Sequence, residues 1–129
     1  MRSELKHEAP EGFIALIREG MGKREVSLNQ LAERAGVSPA FLSRILNRQR
    51  GLPSDKTIVR LAEVLDIEPV ELLLIEAGRI PEAFKATLSR PQIPALLRAT
   101  GKLSETDMQK LIKMAQAFAL KQHGKRKPK

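Results

Sequence analysis

The amino-acid sequence predicts an all-α protein, with five short helices around one aliphatic core followed by a small helical extension. Three observations lead there. Apolar residues recur at helical spacing in successive short segments. Serines stand directly before several of those segments, at Ser27, Ser38, Ser54 and Ser104, where a side-chain oxygen caps a helix start. Glycine or proline closes them, at Gly36, Gly78, Pro91 and Gly101. Hydrophobic content of 42% is enough for a core, and aromatics at 3% make it an aliphatic one.

The chain is organised around Leu31–Asn47, LAERAGVSPAFLSRILN, two helical patterns meeting at a tight turn. The first, Ser27–Ala35, sets Leu28, Leu31, Ala32 and Ala35 on one face. Gly36 ends it through a left-handed residue that glycine adopts cheaply, and Val37 fills the corner. Ser38 is a good cap, and Pro39 suits a first helical position, where no backbone donor is needed. In the second helix Phe41, Leu42 and Ile45 point inward, while Ala40, Ser43, Arg44, Asn47 and Arg48 point outward. A helix this short is not stable alone, so its polar face must be supported by the core behind it.

The other elements follow in order. Met1–Pro10 reads as a flexible polar tail. Helix one runs from about Glu11 to Gly22 or a turn beyond, with Phe13, Ile17 and Met21 inward. Gly20 and Gly22 weaken its end by about 1 kcal/mol each relative to alanine, and either permit close packing or let it fray. After the basic loop Arg48–Pro53, Ser54 caps helix four, with Ile58, Leu61, Ala62 and Leu65 inward. Helix five begins around Glu68–Pro69, contributes Val70, Leu73 and Leu74, and ends at Gly78. Beyond it, Pro81–Ser89 forms a short helix with Phe84 and Leu88 inward, and Ile93–Thr100 forms another. The longest helix of the extension starts at Ser104 with the spacing of a capping box. The domain plan is a tail over residues 1–10, the five-helix unit over 11–80, the helical extension over 81–123 and a basic disordered end over 124–129.

Composition narrows the function classes. There is no cysteine, so disulfides and thiolate metal sites are excluded. The two histidines, His7 and His123, lie near the ends in charged surroundings and read as solvated. No metal or other cofactor is expected. The longest apolar run, Leu72–Ile75, is too short to cross a bilayer. The N-terminus lacks an apolar signal core, and the expected setting is cytoplasmic, without a membrane partner. No paired-carboxylate, Ser/His/Asp or phosphate-loop signature points to an enzyme. Charge is unevenly spread: residues 1–82 carry 12 Lys/Arg against 13 Asp/Glu, whereas residues 83–129 carry 11 against 2. Within residues 34–60, Arg34, Arg44, Arg48, Arg50, Lys56 and Arg60 face only Asp55. Acids gather afterwards at Glu63, Asp66, Glu68, Glu71 and Glu76. A positive stripe beside a negative patch suggests one face for a polyanion.

The segments SLNQLAERAGVSPAFLSRI and LPSDKTIVRLAEVLDIEPVELL, with the turn glycine at Gly36 and Pro53-Ser54 before helix four, resemble the Cro/phage-repressor type of helix-turn-helix. This is the xenobiotic-response-element family of bacterial and phage regulators, and the likeness covers about Phe13–Gly78. It implies a five-helix, repressor-like helix-turn-helix domain that lays its third helix in the DNA major groove. Matched by position, base contacts fall on Pro39, Ala40, Ser43 and Arg44, with Ser38 and Asn47 beside them. Arg44 is the best reader, because guanidinium can take guanine O6 and N7 together. Pro39 and Ala40 offer no side-chain donor, so reading there is apolar or passes to DNA shape. Phosphates would be held by helix N-termini and cations: Ser27, Asn29 and Gln30, then Arg48, Gln49, Arg50, Ser54 and Lys56. Two features depart from the family pattern. Leu28 replaces a phosphate-binding glutamine, and Met21 and Leu46 stand where relatives often bury an Arg–Glu pair. About six neutralised phosphates would give a log–log salt slope of about −5.

From Met108 the last helix carries Leu111, Ile112, Ala115, Phe118 and Ala119 on one stripe, with Lys110, Lys113 and Lys121 outside it. Either the stripe folds back on the monomer, or it is the seam of a homodimer binding half-sites about 34–36 Å apart. The sequence therefore points to a transcriptional repressor of double-stranded DNA acting on an inverted repeat. The alternative is an antitoxin-like module that neutralises a small protein partner and binds DNA to autoregulate.

Overall fold

In the computed structural model, which describes residues 8–126, α1 (Glu11–Arg24) starts directly after Pro10, whose carbonyl accepts from Ile14 N–H at 3.1 Å. It buries Phe13, Ile14, Ile17 and Gly20. α2 (Leu28–Ala35) is opened by a reciprocal capping box. Ser27 Oγ accepts from Gln30 N–H at 3.1 Å, and Gln30 Oε1 accepts from Ser27 N–H at 2.9 Å. α3 (Pro39–Leu46) begins under Ser38, and α4 (Asp55–Val64) under Ser54, each serine oxygen accepting from the amide three residues on. α5 (Glu71–Glu76) completes the unit.

All five helices leave through the same closure, a left-handed residue followed by a bond back across six residues. The left-handed positions are Glu25, Gly36, Arg48, Asp66 and Gly78, with φ between 54° and 80°. The next residue's amide returns to the helix: Val26 to Met21 O, Val37 to Ala32 O, Gln49 to Arg44 O, Ile67 to Ala62 O and Arg79 to Leu74 O. At α1 and α4 the residue after the turn, Val26 or Ile67, is buried, so closing the helix also seats an apolar side chain.

The closures turn each helix back onto a common centre, where Phe13, Ile17, Leu31, Leu42, Ile45, Ile58, Leu61 and Leu73 are fully buried. Burial of each such side chain contributes about 1.5–3 kcal/mol. α2 packs on α3 and α4, and α5 packs on α4 and α1. No polar or charged side chain is buried among the described residues. α3 is thus held by an aliphatic wall, with no polar network behind it.

The described chain divides into two units after Lys85. Near that division lie a single 3-10 turn (Glu82–Phe84) and α6 (Lys85–Leu88). α7 (Ile93–Thr100) and α8 (Glu105–Arg126) follow in the second unit. Ser104 Oγ caps α8 by accepting from Asp107 N–H at 3.1 Å. No strand occurs among the described residues.

Several expectations are corrected. Ala9, assigned to the tail, is 1% exposed and belongs to the core. Phe41 is only half-buried: it packs against the edge of the core, and Arg50 lies over its ring. α5 begins at Glu71, since Leu72 and Leu73 bond to Pro69 O and Val70 O in a tighter i to i+3 turn. Phe84 and Leu88, read as inward, are 39% and 40% exposed. The rest of the expected tail (residues 1–7, with His7), the side chains of residues 123–126 (with His123), and residues 127–129 of the basic end lie outside what is described.

Candidate nucleic-acid interface

The outer edge of α3 is the part of the first unit built to touch something. Leu42, Ile45 and Leu46 fix the inner edge in the core, and rotation by helical periodicity turns the intervening residues outward. Ser38, Pro39, Ala40, Arg44 and Asn47 are exposed and Ser43 is half-buried. The leading turn is small: a serine, the flat ring of Pro39 and the methyl of Ala40. Ser38 Oγ is taken up by Phe41 N–H at 3.0 Å, which leaves its hydroxyl proton as the outward donor. Asn47 Nδ2 donates to Ser43 Oγ at 3.2 Å, so these two brace each other one turn apart. The Arg44 guanidinium sits between them in sequence and forms no hydrogen bond or ion pair.

The far end of α3 is tied down by contacts that local sequence patterns do not reveal. Arg18, on α1, donates through Nη2 to Leu46 O at 3.2 Å, placing a cation at the helix C-terminus. Arg50 lies with its guanidinium carbon 4.2 Å from the Phe41 ring centre, a cation–π contact that pins the basic loop to α3. Arg79 Nη1 donates to Pro53 O at 2.8 Å and to Asp55 Oδ1 at 2.6 Å, clamping that loop's other end to α4. These pairs are separated by 28, 9 and 24–26 positions, beyond the reach of helical periodicity.

The residues proposed for phosphates differ in what remains free. Ser27 and Gln30 spend their side-chain oxygens on each other's amides, whereas Asn29 is exposed. Ser54 Oγ accepts from Thr57 N–H and donates to Thr57 Oγ1, both at 3.2 Å, so it serves the cap of α4. Lys56, Arg48 and Gln49 are exposed. Leu28, at the family's glutamine position, is half-buried against the core. Arg60 was not among the site residues, yet its Nη1 lies 2.8 Å from where a Cβ on Gly36 would stand. A cation therefore flanks the turn between α2 and α3. Gly36 is required there twice, for φ +80° and for that approach.

In the second unit, α8 carries the residues of the expected stripe, and Met114 and Leu120 are exposed outside it. Met108 and Leu111 are half-buried, Ala115 and Ala119 are exposed, and Ile112 and Phe118 are 42% and 65% exposed. Among the described residues no group of three or more His, Asp or Glu side chains gathers as a metal site, and no helix is long and apolar enough to cross a membrane.

Comparison with known proteins points to the same segment. The chain is 45% identical over 76 residues to the HTH-type transcriptional repressor RghR of Bacillus subtilis (strain 168), a match covering 59% of this chain and 56% of that protein. It is 44% identical over 68 residues to an uncharacterized HTH-type transcriptional regulator, RghRB, of the same strain, covering 53% and 48%. The chain thus spans about half the length of the curated relatives it matches. A solved structure of a SinR protein/SinI protein complex is similar at a TM-score of 0.47 and 24% identity, over 83% of this chain and 97% of that one. A helix-turn-helix family model matches residues 14–72, a span that holds α1 through the start of α5. Residues 14–72, under half of the chain, thus match a helix-turn-helix domain.

Proposed function

We propose that this protein is a sequence-specific, double-stranded-DNA-binding transcriptional repressor that occupies an inverted-repeat operator as a homodimer. The observation that carries the reading is the exposed edge of α3, with an unpartnered Arg44 between a braced Ser43–Asn47 pair and no acid on the helix. A major groove about 12 Å wide admits one helix, and short leading residues let its N-terminal turn approach the bases closely. Arg44 then reads a guanine, and Ala40 and Pro39 meet apolar surface such as a thymine methyl. Arg48, Gln49, Asn29, Lys56 and the first amides of α2 and α4 hold phosphates and set the register. The repressor role follows the name of RghR, 45% identical over the matched region.

The test is selection of bound duplexes from a random pool with wild type and Arg44→Ala in parallel. The expected result is an inverted repeat in wild type and loss of preference at one position of each half-site in the variant. An unchanged consensus in Arg44→Ala would overturn the assignment of α3 as the reader. The exposed apolar residues of α8 favour a second reading, an antitoxin-like module, which a small protein co-purifying through α8 would distinguish.

A further inference from the structure

Most of this chain's net charge lies outside the part that holds the proposed reading helix. The part holding α1–α5, residues 1–82, has 12 cationic side chains against 13 acidic ones, and residues 83–129 have 11 against 2. Duplex DNA presents a negative charge about every 1.7 Å, and sequence-independent affinity comes from neutralising those charges. Residues 1–82 sum to −1, so the attraction that part offers a polyanion is local, from the basic stripe over residues 34–60. The extension has a large excess.

Six of those cations are exposed among the described residues. Arg90, Arg98, Lys102, Lys110, Lys113 and Lys121 are all exposed, and none of their side chains is in an ion pair or hydrogen bond. The extension's two acids, Glu105 and Asp107, both lie in the first turn of α8, where they complement the positive end of the helix. From Met108 to Gln122 the helix holds no acid. At 3.6 residues per turn Lys110, Lys113 and Lys121 fall within an arc of about 80°, opposite Met108, Ile112, Ala115 and Ala119 of the stripe, with its Leu111 and Phe118 on the flank. They span about 16 Å along the axis, the length of about five phosphates on one strand.

We infer that Lys110, Lys113 and Lys121 form a second DNA-contact surface, one that grips duplex phosphates without regard to sequence. The inference rests on the reading of α3 as the sequence-selective element: α8 captures and α3 selects. Charge complementarity between an acid-free run of helix and a duplex backbone is what favours this occupant.

The experiment measures binding of the full chain to a random-sequence duplex by fluorescence anisotropy across a salt series. It uses wild type, K110Q/K113Q/K121Q, K110R/K113R/K121R and R44A. Each phosphate contact contributes about 0.9 to the log–log salt slope, so the triple glutamine variant is shallower by about 2.7. Its random-duplex affinity near 0.1 M salt falls on the order of a hundredfold, with unchanged helix content by circular dichroism. The triple arginine variant keeps both slope and affinity. If the triple glutamine variant loses helicity, the three single Lys→Gln variants decide, each expected to lower the slope by about 0.9. A slope indifferent to the lysines, in a wild type that still selects an Arg44-dependent consensus, overturns this inference alone. Loss of binding to phosphatidylglycerol vesicles with an unchanged DNA slope overturns it in favour of a membrane surface. A wild type that binds no duplex overturns both readings.

Discussion

Gly20 and Gly22 lie two residues apart near the end of α1, and the structure gives them opposite reasons to be glycine. Nothing lies within 4 Å of where a Cβ on Gly22 would stand, and the residue is exposed. Alanine there gains helix propensity and loses nothing, so Gly22→Ala should stabilise by about 0.5–1 kcal/mol. Gly20 is buried, and its Cβ would stand 3.1 Å from Leu65 Cβ, 3.3 Å from Cδ1 and 3.5 Å from Cγ. Leu65 Cβ is bonded directly to the backbone and is 2% exposed, so it cannot rotate aside, and α1 must move off the end of α4. Alanine at position 20 therefore gains less than at 22. Valine, with two further carbons against the same wall, should cost about 1–3 kcal/mol. For a domain of this size 1 kcal/mol shifts the melting temperature by about 4–8 °C. Thermal melts followed by far-ultraviolet circular dichroism should place Gly22→Ala above wild type and Gly20→Val at least about 4 °C below it. Melting of Gly20→Val at or above wild type would refute the close approach of α1 to Leu65.

Other outcomes follow from single contacts. Arg44→Ala should weaken binding to the selected operator by about 1–3 kcal/mol, measured by anisotropy against wild type, with relaxed preference at one base pair. Glu25→Gly removes a left-handed non-glycine residue at the end of α1 and should stabilise by about 1 kcal/mol, read from urea midpoints. Arg79→Ala frees Pro53 O and Asp55 from their clamp. It should destabilise by about 1 kcal/mol, given that the side chain is partly exposed, and speed amide exchange in residues 48–54 ahead of global unfolding. Phe118→Asp should leave helix content intact and convert a dimer to a monomer in analytical ultracentrifugation. A dimer that survives it places the seam elsewhere.

What the sequence discloses here is mostly local. Ser27, Ser38, Ser54 and Ser104 each announce a helix start because the cap and its target amide are three residues apart, and all four bonds are present. Leu42 and Ile45 against Arg44 and Asn47 separate into inner and outer edges for the same reason, since a helix repeats within the pattern that encodes it. Contacts between elements are the less visible part. Phe41 is apolar on the inward arc of α3, but that Arg50 shares its cover with the core depends on the path of the loop between them. Ala9 precedes any periodic pattern, so nothing marks it as a core residue. The left-handed turns at Glu25, Arg48 and Asp66 lack the glycine that makes Gly36 and Gly78 legible. The fold was therefore more readable than the fastening of the site: Arg18, Arg50 and Arg79 act through partners that only the packed chain brings near.

The five matching helix closures bear on how quickly the first unit can assemble. Each reversal of direction is completed by bonds that span at most five positions, and successive helices become neighbours as soon as those bonds form. Chains dominated by such nearby pairings cross their barrier in about microseconds to milliseconds. In refolding from urea the closures should therefore form early, ahead of the contact between α1 and α5 that completes the core.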